Sequence, residues 1–326
     1  MKKTLFLILV CSIVQSCGEN NVVYKPESSG RINSITIVVD NQSWDSKIGD
    51  RVRKLYADEF MGLPQIEERF TLKQMPYETF EGFSRTSRNI IYINKKSQPQ
   101  YSFEINKYAR PQIYLEIAAN NIESTLNQLE ISNLEAIKKF SNGEIEENKR
   151  RILKSVLKDV TALDNFFLEL KIPSAYSVFK KDENFVWYQK LIDKGHSNLI
   201  ISELSSKKDV FDFNLPEIIS LRDSIGLNFI PGRKINSHMI TEKEYPPTQK
   251  KINYYGIKML ETRGIWEVTD DFMAGPFINY ILEDKINERL LMIEGFVFAP
   301  SKRKRDNMIE LEAIIKSIRT KEKPLL

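Results

Sequence analysis

Cysteine is nearly missing from this 326-residue chain: there are two, Cys11 and Cys17, both close to the N-terminus. Beyond them no disulfide can staple the fold, no thiolate can attack a substrate, and no cysteine can ligate a metal. The body of the protein must hold itself together by its core. Histidine is as scarce. His196 and His238 stand far apart without a companion at helical ligand spacing, so there is no His-x-x-x-His zinc signature. Both are expected on loops or the surface. No metal or organic cofactor is expected, and any metal would be a weakly held, oxygen-ligated ion. Phosphate loops are missing too: neither Gly-x-Gly-x-x-Gly nor a Walker lysine appears. Gly82-Phe83-Ser84-Arg85 lacks the second glycine of a nucleophile elbow, although serine or lysine nucleophiles assembled in space stay open. The net charge of +4 drops to +2 once Lys2 and Lys3 are set aside, too little to recruit nucleic acid. After the first residues, no apolar run is long enough to cross a membrane.

What is present begins with an address. Met1-Lys2-Lys3 is a short positive segment, and Leu5 to Val14 is an apolar run of about ten residues, too short for roughly 30 Å of hydrocarbon. It reads as a cleavable leader. Val14-Gln15-Ser16-Cys17 resembles the lipobox of bacterial lipoproteins, with a branched apolar residue three before the cysteine and a small one just before it. The resemblance implies that Cys17 is alkylated by diacylglycerol, becomes the new N-terminus and is acylated on its amine. Residues 1–16 are then a lipoprotein signal peptide, and the polar, Gly/Ser-rich residues 17–32 a flexible tether.

From Asn33 the pattern alternates between period 2 and period 3.6. Ile35-Thr36-Ile37-Val38-Val39 is a β-branched strand, and Asp45 an N-cap for a helix through Ile48, Val52, Leu55 and Tyr56. Strands are expected at Phe70–Leu72, Asn89–Ile93, Tyr101–Ile105 and Gln112–Ile117. A helical stripe (Ile122, Leu126, Leu129, Ile137, Phe140) is broken at Asn142-Gly143 and resumes at Ile145, Ile152 and Val156, which predicts an αα-hairpin. Further on, Phe166 to Ile172 alternates as a strand, hairpins are expected over 176–188 and 277–298, and a strand at Asn198–Ile201. A helix over Leu215 to Ser224 should stop at Gly226, with the Arg222-Asp223 pair closing it, and a helix striped by Met308, Leu311, Ile315 and Ile318 ends the chain. The class is α+β, largely antiparallel sheets with flanking helices, in two similar lobes joined by the αα-hairpin: residues 33–160 and 161–326. The shared order of elements hints at duplication.

Several short stretches carry a family resemblance. They include Gly30-Arg31-Ile32-Asn33-Ser34-Ile35, Leu63-Pro64-Gln65-Ile66-Glu67, Arg88-Asn89-Ile90-Ile91 and Asn184-Phe185-Val186-Trp187. Leu221-Arg222-Asp223, Pro231-Gly232, Gly264-Ile265-Trp266, Gly275-Pro276-Phe277 and Gly295-Phe296-Val297-Phe298-Ala299-Pro300 complete the set. On these the chain resembles a family of Bacteroidota lipoproteins that carry a domain of unknown function. The resemblance implies a lipid-anchored envelope protein on the outer or inner membrane of a Gram-negative bacterium. No dense acidic run follows Cys17, unlike surface-exported lipoproteins, so the periplasmic face is expected. The resemblance supplies no catalytic residues.

Two classes of function follow. One is a non-catalytic module that binds an envelope protein or glycan, held to the membrane by its N-terminal lipid. The other is a carboxylate-dependent hydrolase of an envelope polymer, with Glu67-Glu68 or Asp270-Asp271 as the nearest acid pairs. The densest candidate segment runs from Glu261 to Phe277. There Trp266 could be a stacking platform, with Arg263, Asp270 and Asp271 orienting a ligand. Equally, Trp266 could be core packing, which is the usual fate of a strand-borne tryptophan. The run Lys302-Arg303-Lys304-Arg305 is expected to be a solvated loop and first helical turn, an anion at this helix start remaining open.

Overall fold

The computed structural model describes residues 24–206 and 208–322. The leader, Cys17 and the start of the expected tether lie outside them. The first sheet contains β1 (Ser34–Val38), β2 (Thr71–Met75), β3 (Asn89–Lys95), β4 (Gln100–Ile105) and β5 (Ile113–Ala119). Its order is β2-β1-β3-β5-β4. The pairs β1–β2, β1–β3 and β3–β5 are parallel, and only β4–β5 is antiparallel. Parallel strands are covered on both faces, and that is why β1 reads as a β-branched run with little polar alternation. Ile35 and Ile37 point into one cluster with Val52, Tyr56, Leu129 and Phe140, while Val38 joins Phe80, Ile90 and Tyr114 on the other face. The helices over the first face are the short α1 (Asn41–Trp44), α2 (Lys47–Tyr56) and α3 (Ile122–Ile152).

The second sheet is antiparallel. It comprises, after the short β6 (Leu168–Glu169), the strands β7 (Ser177–Asp182), β8 (Phe185–Ile192), β9 (Gly195–Leu204), β10 (Met239–Thr241), β11 (Thr248–Tyr254), β12 (Ile257–Val268), β13 (Ala274–Asp284) and β14 (Arg289–Phe298). Seven run β10-β12-β13-β14-β9-β8-β7, and β11 shares the outer edge of β12 with β10. Helix α4 (Leu215–Phe229) covers one face, with Ile218 and Ile225 in the same cluster as Trp266, Phe277 and Met292. Helix α5 (Arg305–Ile315) covers the other, with Leu311, Ile314 and Ile315 against Tyr280, Leu291 and Ile293. The final β15 (Arg319–Thr320) pairs with β6.

The α+β class and the predominance of antiparallel pairing hold across the chain, and several expectations change. The αα-hairpin is one continuous helix of 31 residues, roughly 46 Å long at about 1.5 Å per residue. Asn142-Gly143 does not break it, because a Cβ at Gly143 would stand 2.8 Å from Ile113 Cδ1. Close approach to the sheet outweighs the roughly 1 kcal/mol helix penalty of glycine. Gly226 likewise lies inside α4, where the Met239 carbonyl of β10 comes too near for any Cβ. The lobes are not similar: one is a mixed, mostly parallel sheet and the other an antiparallel meander. Finally, the described part of the tether is docked rather than loose. The Arg110 N–H donates to Pro26 O at 2.8 Å, Ser28 N–H to Arg110 O at 2.9 Å, and Ser29 N–H to Thr86 O at 2.8 Å. Polar side chains suggested a linker, but the backbone polar groups are in use.

Helix α3 serves both cores. Leu129, Ala136 and Phe140 fill the first, and Ile145 and Ile152 the second. A second weld is polar. Lys304, the N-cap residue of α5, offers no side-chain acceptor, and Glu67 from the other lobe takes that place. Its carboxylate accepts the Lys304 N–H at 2.7 Å and the Arg305 N–H at 3.1 Å. The second half of the basic run is therefore an interface, while Lys302 and Arg303 stay in the solvated loop that was expected. Lys304 and Arg305 are buried, and the Arg305 guanidinium donates to Glu68 O and Thr71 Oγ1. The anion position at this helix start is filled by the protein itself.

Replacing Glu67 with alanine leaves two buried N–H groups without acceptors and should cost about 2–3 kcal/mol in urea unfolding. Glu68→Ala, whose ion-pair partner Arg303 is mostly exposed, should cost under about 1 kcal/mol in the same measurement.

Candidate functional site

The structure separates the residues of the Glu261–Phe277 segment. Along β12, Trp266 points to the α4 face and Arg263 to the α5 face, because successive strand residues alternate. Trp266 is 2% exposed, packed edge-on against Phe296 at 5.7 Å, and its N–H finds no acceptor among the described residues. It is core, and no ligand can stack on it. Arg263 bridges two carboxylates, Glu261 Oε1 at 2.8 Å and Glu312 Oε2 at 2.7 Å. Burial would raise the Glu312 carboxyl, yet Arg263 and Lys316 hold it well below the ordinary range. An acid that cannot hold a proton near neutrality is no general acid. Asp270 is an exposed turn residue with φ of 57°, and Asp271 is clamped by Arg233 through two 2.8 Å bonds. Glu67 and Glu68 are spent on the α5 interface. Glu67 and Glu68 thus serve the interface between the sheets, and Asp270 and Asp271 sit in a surface turn.

The histidines are also apart. His196 is strand-borne and half-buried beside Asn198 and Phe298, so burial lowers its pKa despite the Asn198 bond. His238 accompanies the 236–238 turn. Among the described residues no group of three His, Asp or Glu side chains converges as a metal site would require.

A different place has the geometry of a site. In open sheets with parallel strands, ligands bind outside the carboxyl ends where the strand order reverses. Here the chain leaves β1 toward β2, then returns past it to β3, so the reversal lies between β1 and β3. A cavity of about 640 Å³ opens there. It is bounded by Asp40 beyond β1, Asn94 and Lys95 closing β3, and Asn120 and Asn121 beyond β5. Gln42, Ser43, Ser46 and Tyr77 complete its polar wall, and Ile48, Ile93 and Ala119 give it an apolar part.

Local rules put each of these groups in place. Asp40 ends β1 and caps α1, accepting Ser43 N–H at 2.8 Å and Ser43 Oγ–H at 2.9 Å. Burial raises its pKa, but those two bonds and the Lys95 charge win, so the carboxylate stays ionised. Ser46 caps α2 and Asn121 caps α3. Tyr77 donates to Ile93 O, and burial together with the Asp40 charge pushes its hydroxyl up to about 12. It is a neutral donor at any physiological pH. The wall is thus made of amides, hydroxyls, the carboxylates of Asp40 and Glu123 and the Lys95 ammonium, with no histidine among the lining residues. Such a wall can recognise a polar ligand. The sequence did carry a signal for it: Asp40-Asn41 and Asn120-Asn121 directly follow β-branched or apolar strands and precede helices.

Trp266→Ala should lower stability by about 3–5 kcal/mol, as removal of a buried aromatic does. Asp270→Ala and Asp271→Ala should leave the unfolding midpoint essentially unchanged, both read by thermal denaturation.

No helix among the described residues is long and apolar enough to cross a membrane. Among curated proteins, none matches this chain. Cyanobacterial PsbP (CyanoP) from Synechocystis sp. PCC 6803 aligns at 14% identity and a TM-score of 0.30, covering 50% of this chain and 89% of that one. LpqN of Mycobacterium tuberculosis, described as involved in cell envelope biogenesis, aligns at 8% identity and a TM-score of 0.26, covering 46% and 81%. Likeness this slight decides neither fold nor function. Family models are more specific: one for a domain of unknown function (DUF8532) matches residues 28–153, and another for a domain of unknown function (DUF4837) matches residues 155–317. The second match covers half of the chain, which therefore belongs to the DUF4837 family.

Proposed function

We propose that this protein is a lipid-anchored, non-catalytic binding module of the bacterial cell envelope, which takes a hydroxyl-rich, uncharged ligand in the crevice between β1 and β3. The observation that carries the binding role is the crevice wall. Amides from Gln42, Asn94, Asn120 and Asn121 and hydroxyls from Ser43, Ser46 and Tyr77 converge on one cavity. Its charged lining is Asp40 and Glu123 against the single cation Lys95, so it does not draw in an anion. Groups of this kind pair with sugar hydroxyls, which donate and accept in equal measure. The apolar stretch at Ile48, Ile93 and Ala119 suits the C–H face of a sugar ring.

The anchor rests on the leader and on Val14-Gln15-Ser16-Cys17. Acyl chains contribute about 0.8 kcal/mol per buried methylene, so two or three together hold a protein at a membrane almost permanently. With the anchor at Cys17, the docked segment from Pro26 meets Thr86 and Arg110 at the amino ends of the parallel strands, so the crevice at their carboxyl ends would open away from the anchored end.

Cells fed an alkynyl palmitate should label the wild-type protein, and Cys17→Ala should abolish both the label and membrane retention. An unlabelled wild type would refute the anchor.

For the crevice, purified protein is screened by thermal shift against neutral envelope oligosaccharides. A bound ligand should raise the midpoint, and Gln42→Trp, which fills the mouth from an exposed position, should erase the shift while keeping the unliganded midpoint. A ligand that stabilises both proteins equally would locate its binding elsewhere.

A further inference from the structure

The β11–β12 hairpin ends in a turn that the fold alone does not explain. Tyr254 pairs with Ile257, so the loop has two residues, Tyr255 and Gly256, with φ of 48° and 86°. Positive φ at both places is the type I′ turn, whose first position favours asparagine, aspartate or glycine. A bulky aromatic there is strained. Nothing local offsets that strain by burial, since Tyr255 is 88% exposed. Its ring stands edge-to-face on Tyr254, with centroids 4.7 Å apart at 76°. The pair forms a protruding aromatic corner.

Tyr254 and Tyr255 border a groove of about 640 Å³ whose other walls carry Lys149, Lys171, Lys316 and Arg319. Glu146 is the one carboxylate among the lining residues. Lys149 is fixed by Glu146 at 2.8 Å and by the Tyr254 hydroxyl, while Lys316 is held by Glu312. Arg319 forms no ion pair with any described residue, and the nearest carboxylate to Lys171 is Glu169 at 3.9 Å. Leu153, Ile257 and Ile318 add apolar wall. Cations in excess, an apolar wall and exposed aromatic faces thus meet in one concavity that shares no lining residue with the crevice.

We propose that this groove binds an acidic oligosaccharide. Tyr255 stacks on a sugar ring, and Arg319 and Lys171 pair with carboxylate or phosphate groups on the neighbouring units. A guanidinium that pairs with no described carboxylate is suited to bidentate pairing with either anion. The cations line a hollow that a flat bilayer cannot enter, which favours a chain-like anion over a lipid surface. A single basic groove on a chain of net charge +4 lacks the extended track that a nucleic-acid strand follows.

The full chain, purified in detergent, is titrated calorimetrically with tetragalacturonate as probe. Binding is expected, with none to neutral galactotetraose. Tyr255→Asn creates Asn-Gly, the favoured type I′ pair, so its thermal midpoint should be equal or higher while affinity falls at least tenfold. Arg319→Gln should weaken binding to a similar degree, and Gln42→Trp should leave it unchanged, which separates this site from the crevice. The proposal is overturned by no binding of tetragalacturonate, by full affinity in Tyr255→Asn, or by equal affinity for galactotetraose. It is overturned equally if inorganic phosphate, phosphatidylglycerol vesicles or an oligothymidylate binds as tightly as the tetrasaccharide.

Discussion

The start of α5 has buried N–H groups and no side-chain acceptor of its own, and the fold is arranged around satisfying them from the other lobe. Glu67 reaches across and binds two of those groups. A carboxylate at a helix N-terminus is favoured by both hydrogen bonding and the macrodipole. Around it Arg305 donates to the Glu68 carbonyl, and Asn33 at the edge of β1 donates to Asp306 at 2.8 Å. The face of α5 that is left over fills the second sheet's core. One helix end thus fixes the first sheet relative to the second.

Without disulfides, comparable buried polar nodes set register elsewhere. Glu144 of α3 accepts Asn33 N–H at 2.7 Å, Arg88 Nε at 2.8 Å and the Asn89 amide, tying the helix to β1 and β3 at once. In the second lobe Arg222 of α4 is 2% exposed, bonds Glu294 of β14 and lies 3.9 Å over the Phe277 ring. Pairs like these add little net stability over apolar packing, but a slipped helix would strand a buried charge. Arg222 was expected to close a helix near its C-terminus; it is instead the anchor by which α4 sits on the sheet.

What the sequence conveyed and what it hid divide along physical lines. Strands with strong β-branched or alternating patterns, such as Ile35–Val38 and Phe277–Glu283, were legible because the pattern is the burial. Helix interruptions were misread at Gly143 and Gly226, since a glycine needed for close packing and a glycine needed for a stop look alike in one dimension. Parallel pairing in the first sheet was hidden because strand direction depends on crossovers and not on composition. The crevice was only partly legible for the same reason: Asp40-Asn41 and Asn120-Asn121 mark strand ends, but strand order is what brings those ends together. Its residues are ordinary one at a time: Asp40, Lys95 and Asn120 come from segments well separated along the chain. Arg263, Glu261 and Glu312 show the converse, a conspicuous segment whose charges neutralise one another indoors.

Helix α3 has a consequence for how this protein can be inherited. The two family matches meet between residues 153 and 155, where the helix ends. A seam in sequence is ordinarily a place where genes can be cut and rejoined with new neighbours. Here the last turns before the seam, at Ile145 and Ile152, plug the hydrophobic interior of the module that follows it. Shuffling either half into another chain would leave one partner with a hole and the other with a bare apolar helix end. Cutting the chain at this seam would therefore cost both regions part of their core.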